Sequence, residues 1–288
     1  MHTIIEKIKS TFKIIFCVGL LFANEYDFKN YTVVDGLSES TINVIFEDKK
    51  GFIYIGTENG LGLFDGLSFY NYKMNVFDNS TIFGNNIQSI CQDNNNNIWV
   101  GTELGLSSLN TRNRKFQRYL NSNHNLENIE KVFSDKMDNI WFKNSDGIFM
   151  YSKSKKQIDC ISCGNNMEIN SFSNLFNTIS NEIIISTFSN LFRYDTENDT
   201  IYSMINTEFS DIEVSFVTDI QEVDNALWVG TKNGLIKLPY NKNEIPKIYK
   251  KEDLNSLVDN DIRDIEHSIS KNELWISTKN GISIFDLS

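Results

Sequence analysis

The chain has 288 residues and a formal net charge of −11 at pH 7. A chain this acidic gains no free energy by releasing counterions from phosphates, so the charge argues against a nucleic acid partner. Hydrophobic residues make up 40% of the chain and charged residues 23%, a balance typical of a globular protein and not of a disordered one. Aromatic residues reach 12%, which favours a core built from many strands.

The N-terminus has the pattern of a secretory signal peptide. Three lysines lie within the first 13 residues, followed by an apolar run over residues 14–22 and the small residue Ala23. This order of basic start, short apolar segment and small residue is typical of a cleaved leader, and the run is too short to span a bilayer comfortably. A buried N-terminal helix or an uncleaved anchor is the alternative. We expect residues 1–23 to be a signal peptide, residues 24–288 to form the fold, and the location to be periplasmic or otherwise extracytoplasmic.

Cys160 and Cys163 form a C-x-x-C pair. A structural zinc site needs a second pair of ligands at a suitable spacing, which the sequence lacks. A thioredoxin-like motif would begin a helix in a βαβ unit, and no such unit is evident. We expect either a small loop disulfide or two loop thiols.

A nine-residue motif recurs six times and dominates the rest of the chain. Its copies include IYIGTENGL at residues 53–61 and LWVGTKNGL at residues 227–235, with a degenerate fourth copy at residues 183–191. The second positions of the motif are residues 54, 99, 141, 184, 228 and 275, so the repeat is roughly 44 residues long. All four tryptophans of the chain fall at this position.

Each repeat resolves into four short strands. The second strand is apolar at consecutive positions, which indicates that both of its faces are covered. Four-stranded antiparallel blades packed face to face around an axis satisfy the spacing and the double burial together, so the sequence predicts an all-β fold, a β-propeller of six repeats. The Tyr or Trp should fill the wedge between blades, and Gly56 should allow close backbone approach. Dipeptides such as Asn59-Gly60 predict tight type I′ turns.

The ends of the chain suggest how the ring closes. Residues 28–31 have the F-x-x-Y spacing of an outer strand but precede the first repeat, and the chain stops after the third strand of the sixth. We expect the N-terminal strand to supply the missing outer strand of the last blade, which would remove the open edges.

The repeat resembles that of the two-component regulator propeller family. The resemblance rests on Gly36-Leu37-Ser38, on Asp48, and on the run from Ile53 to Asp65, and it covers about residues 28–288. It implies the periplasmic sensor region of a hybrid two-component system, with glycan fragments as the usual ligands and a kinase as the output domain. This chain has no kinase or receiver motif, so we expect either the N-terminal piece of a longer sensor or a stand-alone propeller.

The sequence lacks common motifs of catalytic, metal-binding and phosphate-binding sites. There is no G-x-S-x-G, H-E-x-x-H or G-x-x-x-x-G-K-[ST], and only three histidines occur. The run Asp93 to Asn97 matches the start of a calcium loop, but Ile98 and Leu104 stand where that loop needs Gly and Glu. We expect no catalytic residue, no cofactor and no metal.

The ligand site should lie where the turns after the second strands and the connections between blades surround the channel mouth, because loops on a rigid scaffold commonly carry binding. The candidates for ligand binding on this face are Glu58, Asn86, Glu103, Asn128, Asn144, Lys232 and Lys279. We expect a non-catalytic sensor that binds a saccharide or other small ligand and signals to kinase domains or to a partner protein. A propeller enzyme (polysaccharide lyase or glycoside hydrolase) and a protein–protein interaction scaffold are the alternatives.

Overall fold

The computed structural model describes residues 29–120, 124–163, 174–180, 182–187, 189–195, 198, 200–207, 212–214, 216–241, 243–254 and 256–288. The predicted signal peptide, residues 1–23, lies outside the described residues and stays a prediction. Within them, no helix is long and apolar enough to cross a membrane.

The described residues contain 23 strands that follow one another in six antiparallel sheets. The first two sheets contain β1 (Ile42–Glu47), β2 (Ile53–Thr57), β3 (Gly60–Phe64), β4 (Phe69–Tyr72), β5 (Ile87–Gln92), β6 (Ile98–Thr102), β7 (Leu106–Asn110) and β8 (Lys115–Tyr119). The third and fourth contain β9 (Lys131–Ser134), β10 (Ile140–Asn144), β11 (Gly147–Ser152), β12 (Gln157–Cys163), β13 (Asn174–Asn177), β14 (Ile183–Ser186), β15 (Leu191–Asp195) and β16 (Thr200–Ser203). The fifth and sixth contain β17 (Val217–Val223), β18 (Ala226–Thr231), β19 (Gly234–Pro239), β20 (Lys247–Tyr249), β21 (Ile262–Ser268), β22 (Glu273–Thr278) and β23 (Gly281–Asp286).

These sheets are the blades of a β-propeller, as the repeat predicted. In each blade the strands pair in chain order, and β1 contacts β5, β5 contacts β9, β13 contacts β17 and β17 contacts β21. The first strands of the blades are therefore the innermost ones. Among the described residues, two short helical segments accompany the strands, a 3-10 turn at Val33–Asp35 and α1 at Met204–Thr207.

The hydrophobic core lies between the blades, because each blade presents apolar side chains on both faces. Tyr54, Trp99, Trp141 and Trp228 are almost fully buried, and each belongs to a different apolar cluster. A fifth cluster joins the fourth and fifth blades. The bulky residue of the repeat thus fills the wedge between neighbouring blades, as expected. Burying one such side chain contributes about 1.5–3 kcal/mol.

Gly56 confirms the expected close approach of neighbouring blades. A Cβ at this residue would lie 2.6 Å from atoms of both Ile87 and Val44, so a larger residue would force these strands apart. The hairpin turn that follows differs from the prediction. Only Gly60 has a positive φ, of 123°, whereas a type I′ turn needs two such residues. The Thr57 hydroxyl accepts the N–H of Asn59 at 3.1 Å and stabilises this alternative turn.

The expected closure by the N-terminal strand is wrong for the part of this segment that the structure describes. Residues 29–31 form no strand, and within the described part of the chain the sixth sheet consists of β21, β22 and β23 only. Tyr31 packs instead on the first blade, with ring centroids 4.9 Å from Phe64 and 5.5 Å from Phe69. Tyr31 therefore contacts a neighbouring aromatic pair and does not take part in strand pairing.

Candidate functional site

At one end of the propeller, the turns that connect the second and third strands contact the segments that lead into the first strands. The backbone N–H of Glu58 donates to the carbonyl of Thr41 at 3.3 Å, and that of Lys279 donates to Asp261 at 2.9 Å. Glu103 and Lys232 make the corresponding bonds in their own blades. Four of the predicted site residues therefore share one face of the molecule.

The side chains of Glu103 and Asn86 make hydrogen bonds that stabilise this face. The Glu103 carboxylate accepts the backbone N–H of Asn85 at 2.9 Å and that of Asn86 at 2.8 Å. The Asn86 side-chain oxygen accepts hydrogen bonds from Asn43 and Gln88, each at 2.9 Å. Both side chains orient the connection between the first and second blades.

Asn144 lies inside the protein and not on the turn where we expected it. It is the last residue of β10, is buried, and donates to the carbonyls of Asn125 at 2.9 Å and Glu127 at 3.0 Å. Its position in the repeat is that of Thr57 and Thr102, whose hydroxyls also bond within the turn. Asn144 therefore stabilises the hairpin.

The remaining candidates are open to solvent. Glu58, Asn128, Lys232 and Lys279 are all exposed. Asn128 has a positive φ of 53° and donates its N–H to the carbonyl of Glu103 at 2.9 Å. The Lys232 ammonium lies 5.0 Å from the ring centroid of Phe216. These four side chains stay available to a ligand at the mouth.

A cluster of charged side chains near the inner strands went unpredicted. Lys131 on β9 is half-buried, with its ammonium 4.6 Å from the ring centroid of Phe176. Asp219 on β17 is also half-buried, and its carboxylate accepts the N–H of Ile265 at 3.1 Å. We call Lys131, Lys143, Glu130 and Asp219 the inner charged cluster. Within it, the Lys143 ammonium lies 2.6 Å from the Glu130 carboxylate.

Burial disfavours the charged forms of Lys131 and Asp219 in the inner charged cluster. It lowers the pKa of Lys131, an effect that the carboxylate of Asp219 opposes and the ammonium of Lys143 reinforces. Burial likewise raises the pKa of Asp219, although the N–H groups of Ile265 and Ile220 act against this. Half-desolvated groups of opposite charge are suited to a polar ligand that offers a hydrogen-bond partner to each.

The sequence contains a signal for this cluster that we did not use. Lys143 stands at the position of Gly56, Gly101 and Gly230 in the repeat, where a side chain would collide with the next blade. A lysine at a position that is glycine or serine in the other five repeats marks a blade interface with a different construction. Such a departure from a packing rule is a useful pointer to function.

The calcium-like run has a structural role. The Asp93 carboxylate accepts the N–H groups of Asn95 and Asn97 and the indole N–H of Trp99 at 2.8 Å, and it pairs with Lys153. Among the described residues, no three His, Cys, Asp or Glu side chains are grouped to hold a metal.

The two cysteines of the C-x-x-C pair lie on β12 and not in a loop. Cys160 is disulfide-bonded, whereas Cys91 is a free, buried thiol.

Two stretches of the chain match the model of a known protein family. Residues 36–59 and 81–103 match the model of the two component regulator propeller family, which confirms the resemblance seen in the sequence. The chain is 41% identical over 59 residues to histidine kinase P4 of Formosa agariphila. That stretch is 20% of this chain and 4% of the kinase.

Solved structures share the fold. The extracellular domain of the one component system BT4673 from B. thetaiotaomicron aligns with a TM-score of 0.56 and 20% identity, over 86% of this chain and 39% of that one. Virginiamycin B lyase from Staphylococcus aureus aligns with a TM-score of 0.57 and 14% identity, over 86% of this chain and 85% of the lyase. At these identities the likeness extends to the fold alone, and the same fold occurs in the extracellular domain of a one component system and in an enzyme.

Proposed function

We propose that this chain is the extracytoplasmic sensor propeller of a two-component signalling system, which binds a saccharide or other small ligand without transforming it. The observation that carries the proposal is the match of the first two blades to the two component regulator propeller family. The similarity to part of a histidine kinase supports kinase domains, on a longer chain or on a partner protein, as the recipient of the signal.

The inner charged cluster supports ligand binding as the task of the propeller. Lys131 supplies a cation and Asp219 a carboxyl group, so a ligand with hydroxyl or carboxylate groups can pair with each of them. The exposed side chains of Glu58, Asn128, Lys232 and Lys279 add polar contacts at the mouth. Ligand pockets commonly orient their ligands through a few such convergent polar groups.

Thermal unfolding of the purified chain in the presence of defined oligosaccharides, neutral and uronate-containing, tests this function. A ligand at 100 times its Kd stabilises a protein by about 2.7 kcal/mol, so at least one sugar should raise the Tm by several degrees. Lys131→Met and Asp219→Asn should each abolish the shift, and Lys279→Met is the matched exposed control that should weaken it less. A panel without any shift, or equal shifts in all three variants, would contradict the proposal.

Secretion of the chain is part of the same proposal. The leader predicted at residues 1–23 should be cleaved after Ala23, leaving Asn24 as the N-terminal residue. Mass spectrometry of the protein recovered from a periplasmic fraction measures this directly. Recovery of the uncleaved chain from the cytoplasm would contradict the location.

A further inference from the structure

The end of the propeller opposite the mouth is made of tight turns. The strands of each blade are antiparallel and follow one another in chain order, so the turns from first to second strands and from third to fourth strands all lie at this end. We call this end the turn face. Its described residues are 48–52, 65–68, 93–97, 111–114, 135–139, 153–156, 178–180, 182, 198, 224–225, 240–241, 243–246 and 269–272.

Hydrogen bonds join the turns of neighbouring blades across the turn face. The backbone N–H of Asn94 donates to the carboxylate of Asp138 at 2.8 Å, and the Lys136 ammonium donates to the carbonyl of Ser180 at 3.0 Å. The N–H of Ser180 in turn donates to the carboxylate of Glu222 at 2.6 Å. These bonds run from the second blade to the fifth, so the turns lie side by side and form one continuous surface.

Five of the six blades each present a highly exposed apolar side chain on the turn face. Leu67 is 93% exposed, Met137 62%, Ile179 73%, Ile245 89% and Ile269 85%. Because each of them comes from a different blade, these side chains are spread over the face and are not gathered into one patch.

The turn face also carries most of its positive charge on one side. Eight lysines and arginines of the described turns are exposed, and seven of them belong to the first three blades: Lys49, Lys50, Arg112, Arg114, Lys136, Lys155 and Lys156, with Lys271 in the sixth. In the turns of these three blades, Asp48, Asp93 and Asp135 are buried and Asp138 is half-buried, which leaves Asp65 as the exposed carboxylate. One side of the face is therefore cationic, although the chain has a net charge of −11.

We propose that the turn face docks on an anionic lipid bilayer, with its five exposed apolar side chains inserted among the headgroups and its cations against the lipid phosphates. Single apolar side chains interspersed with Lys and Arg suit a bilayer interface, because each one enters the acyl boundary separately. The centre of a protein interface is instead a buried apolar patch that is depleted of lysine. Docking of this kind leaves the mouth at the other end of the propeller open to a ligand.

Co-sedimentation with vesicles tests the contribution of charge. The chain should bind vesicles of phosphatidylglycerol and phosphatidylcholine in equal parts, should bind pure phosphatidylcholine far less, and should be released by high salt. The double variant Arg112→Gln, Lys155→Gln should lower the affinity for the anionic vesicles by roughly thirtyfold. The matched control Lys250→Gln, Lys251→Gln makes the same change of charge in a connection at the mouth and should have little effect.

The same assay tests the apolar side chains. Leu67→Asn combined with Ile269→Asn should lower the affinity for anionic vesicles by roughly tenfold, because two side chains no longer enter the acyl boundary. Phe77→Asn combined with Leu254→Asn is the matched control. These two residues are 96% and 92% exposed in connections at the mouth, so we expect no loss of affinity.

A tryptophan reporter shows which end of the propeller touches the lipid. Vesicles with brominated acyl chains quench tryptophans that lie close to them, so they should quench the added tryptophan of Leu67→Trp and not that of Phe77→Trp. The native tryptophans give both variants the same background. Residues 1–23 contain no tryptophan, so any affinity of the predicted leader for lipid does not contribute to this signal.

Three results would overturn the proposal. Equal loss of affinity in the turn-face variants and their mouth controls, or equal quenching in the two tryptophan variants, would show that the turn face does not make the contact. Failure to bind either kind of vesicle would show that lipid is not the partner. Sedimentation of the chain as a dimer that Leu67→Asn with Ile269→Asn converts to a monomer would assign the face to a second copy.

Discussion

The ammonium of Lys153 lies 2.5 Å from the carboxylate of Asp93 and ties the third blade to the second. The same ammonium lies 2.6 Å from the carboxylate of Asp138. Asp93 is also the acceptor for the indole N–H of Trp99, so one carboxylate links the inner turn, the wedge residue and the neighbouring blade. The Asp93 side chain is fully buried, so losing one of its partners costs more free energy than the same loss at a surface carboxylate.

Asp93→Asn should lower the free energy of unfolding by roughly 3 kcal/mol, because it removes the fully buried one of the two carboxylates that pair with Lys153. Urea denaturation of the two proteins measures the difference. Asp146→Asn is the matched control, since it changes an exposed carboxylate into the Asn-Gly dipeptide found in other blades. A loss of the same size in both variants would contradict the structural role of Asp93.

The stability should also depend on pH through Asp93. Burial alone would raise the pKa of this carboxyl, but Lys153 and the hydrogen bonds from Trp99 and Asn97 together hold it below its usual range. The contribution of ionised Asp93 to stability is therefore complete at pH values above the ordinary pKa of an aspartate, near 4. It is lost as the pH falls through the lower pKa that Asp93 has in the folded protein.

The stability gap between wild type and Asp93→Asn should accordingly narrow as the pH falls from about 5 to 3. Unfolding free energies of the pair at pH 7, 5, 4 and 3 would measure the gap. A gap that widens towards low pH would mean that the pKa is raised in the folded protein.

Trp228 lacks the hydrogen bond that Trp99 makes. Val223 stands at the repeat position of Asp93, and no described side chain accepts the Trp228 indole N–H. Trp99→Phe should therefore destabilise the protein by about 1–2 kcal/mol more than Trp228→Phe, since only the first variant leaves a buried acceptor with one partner fewer. Urea denaturation of both variants tests this, and equal losses would show that ring packing alone decides the cost.

Gly56→Ala should lower the free energy of unfolding by about 1–3 kcal/mol, because the added Cβ would lie 2.6 Å from Ile87 and Val44. Gly62→Ala on the adjacent strand is the matched control. Its Cβ would meet its nearest atom, a side-chain oxygen of Asn71, at 3.4 Å, so we expect little change. A similar loss in both variants would show that backbone conformation, and not blade contact, requires the glycine.

The blades could be predicted from the sequence because each copy of the sequence repeat corresponds to one blade. The Tyr or Trp, the small residue two places later and the Asn-Gly turn recur at fixed spacing, and each has a local physical reason. Asn144 lies inside the hairpin and not on the turn because the third repeat places an amide where the other repeats have threonine, and both residue types form hydrogen bonds within the turn.

Apart from Lys143, which departs from the small residue of the repeat, the inner charged cluster could not be predicted from the local sequence pattern. Lys131 and Asp219 lie two repeats apart, and only the curvature of the propeller brings their charges within reach of each other.

The most direct test of the proposed sensor function is the fate of a bound ligand. The chain would be incubated with an oligosaccharide that raises its Tm, and the sugar would then be recovered and weighed by mass spectrometry. We predict stoichiometric binding that is reversed by dilution, with the sugar recovered intact. Recovery of shorter or unsaturated products, lost in Asp219→Asn, would contradict a non-catalytic sensor and would identify a propeller enzyme.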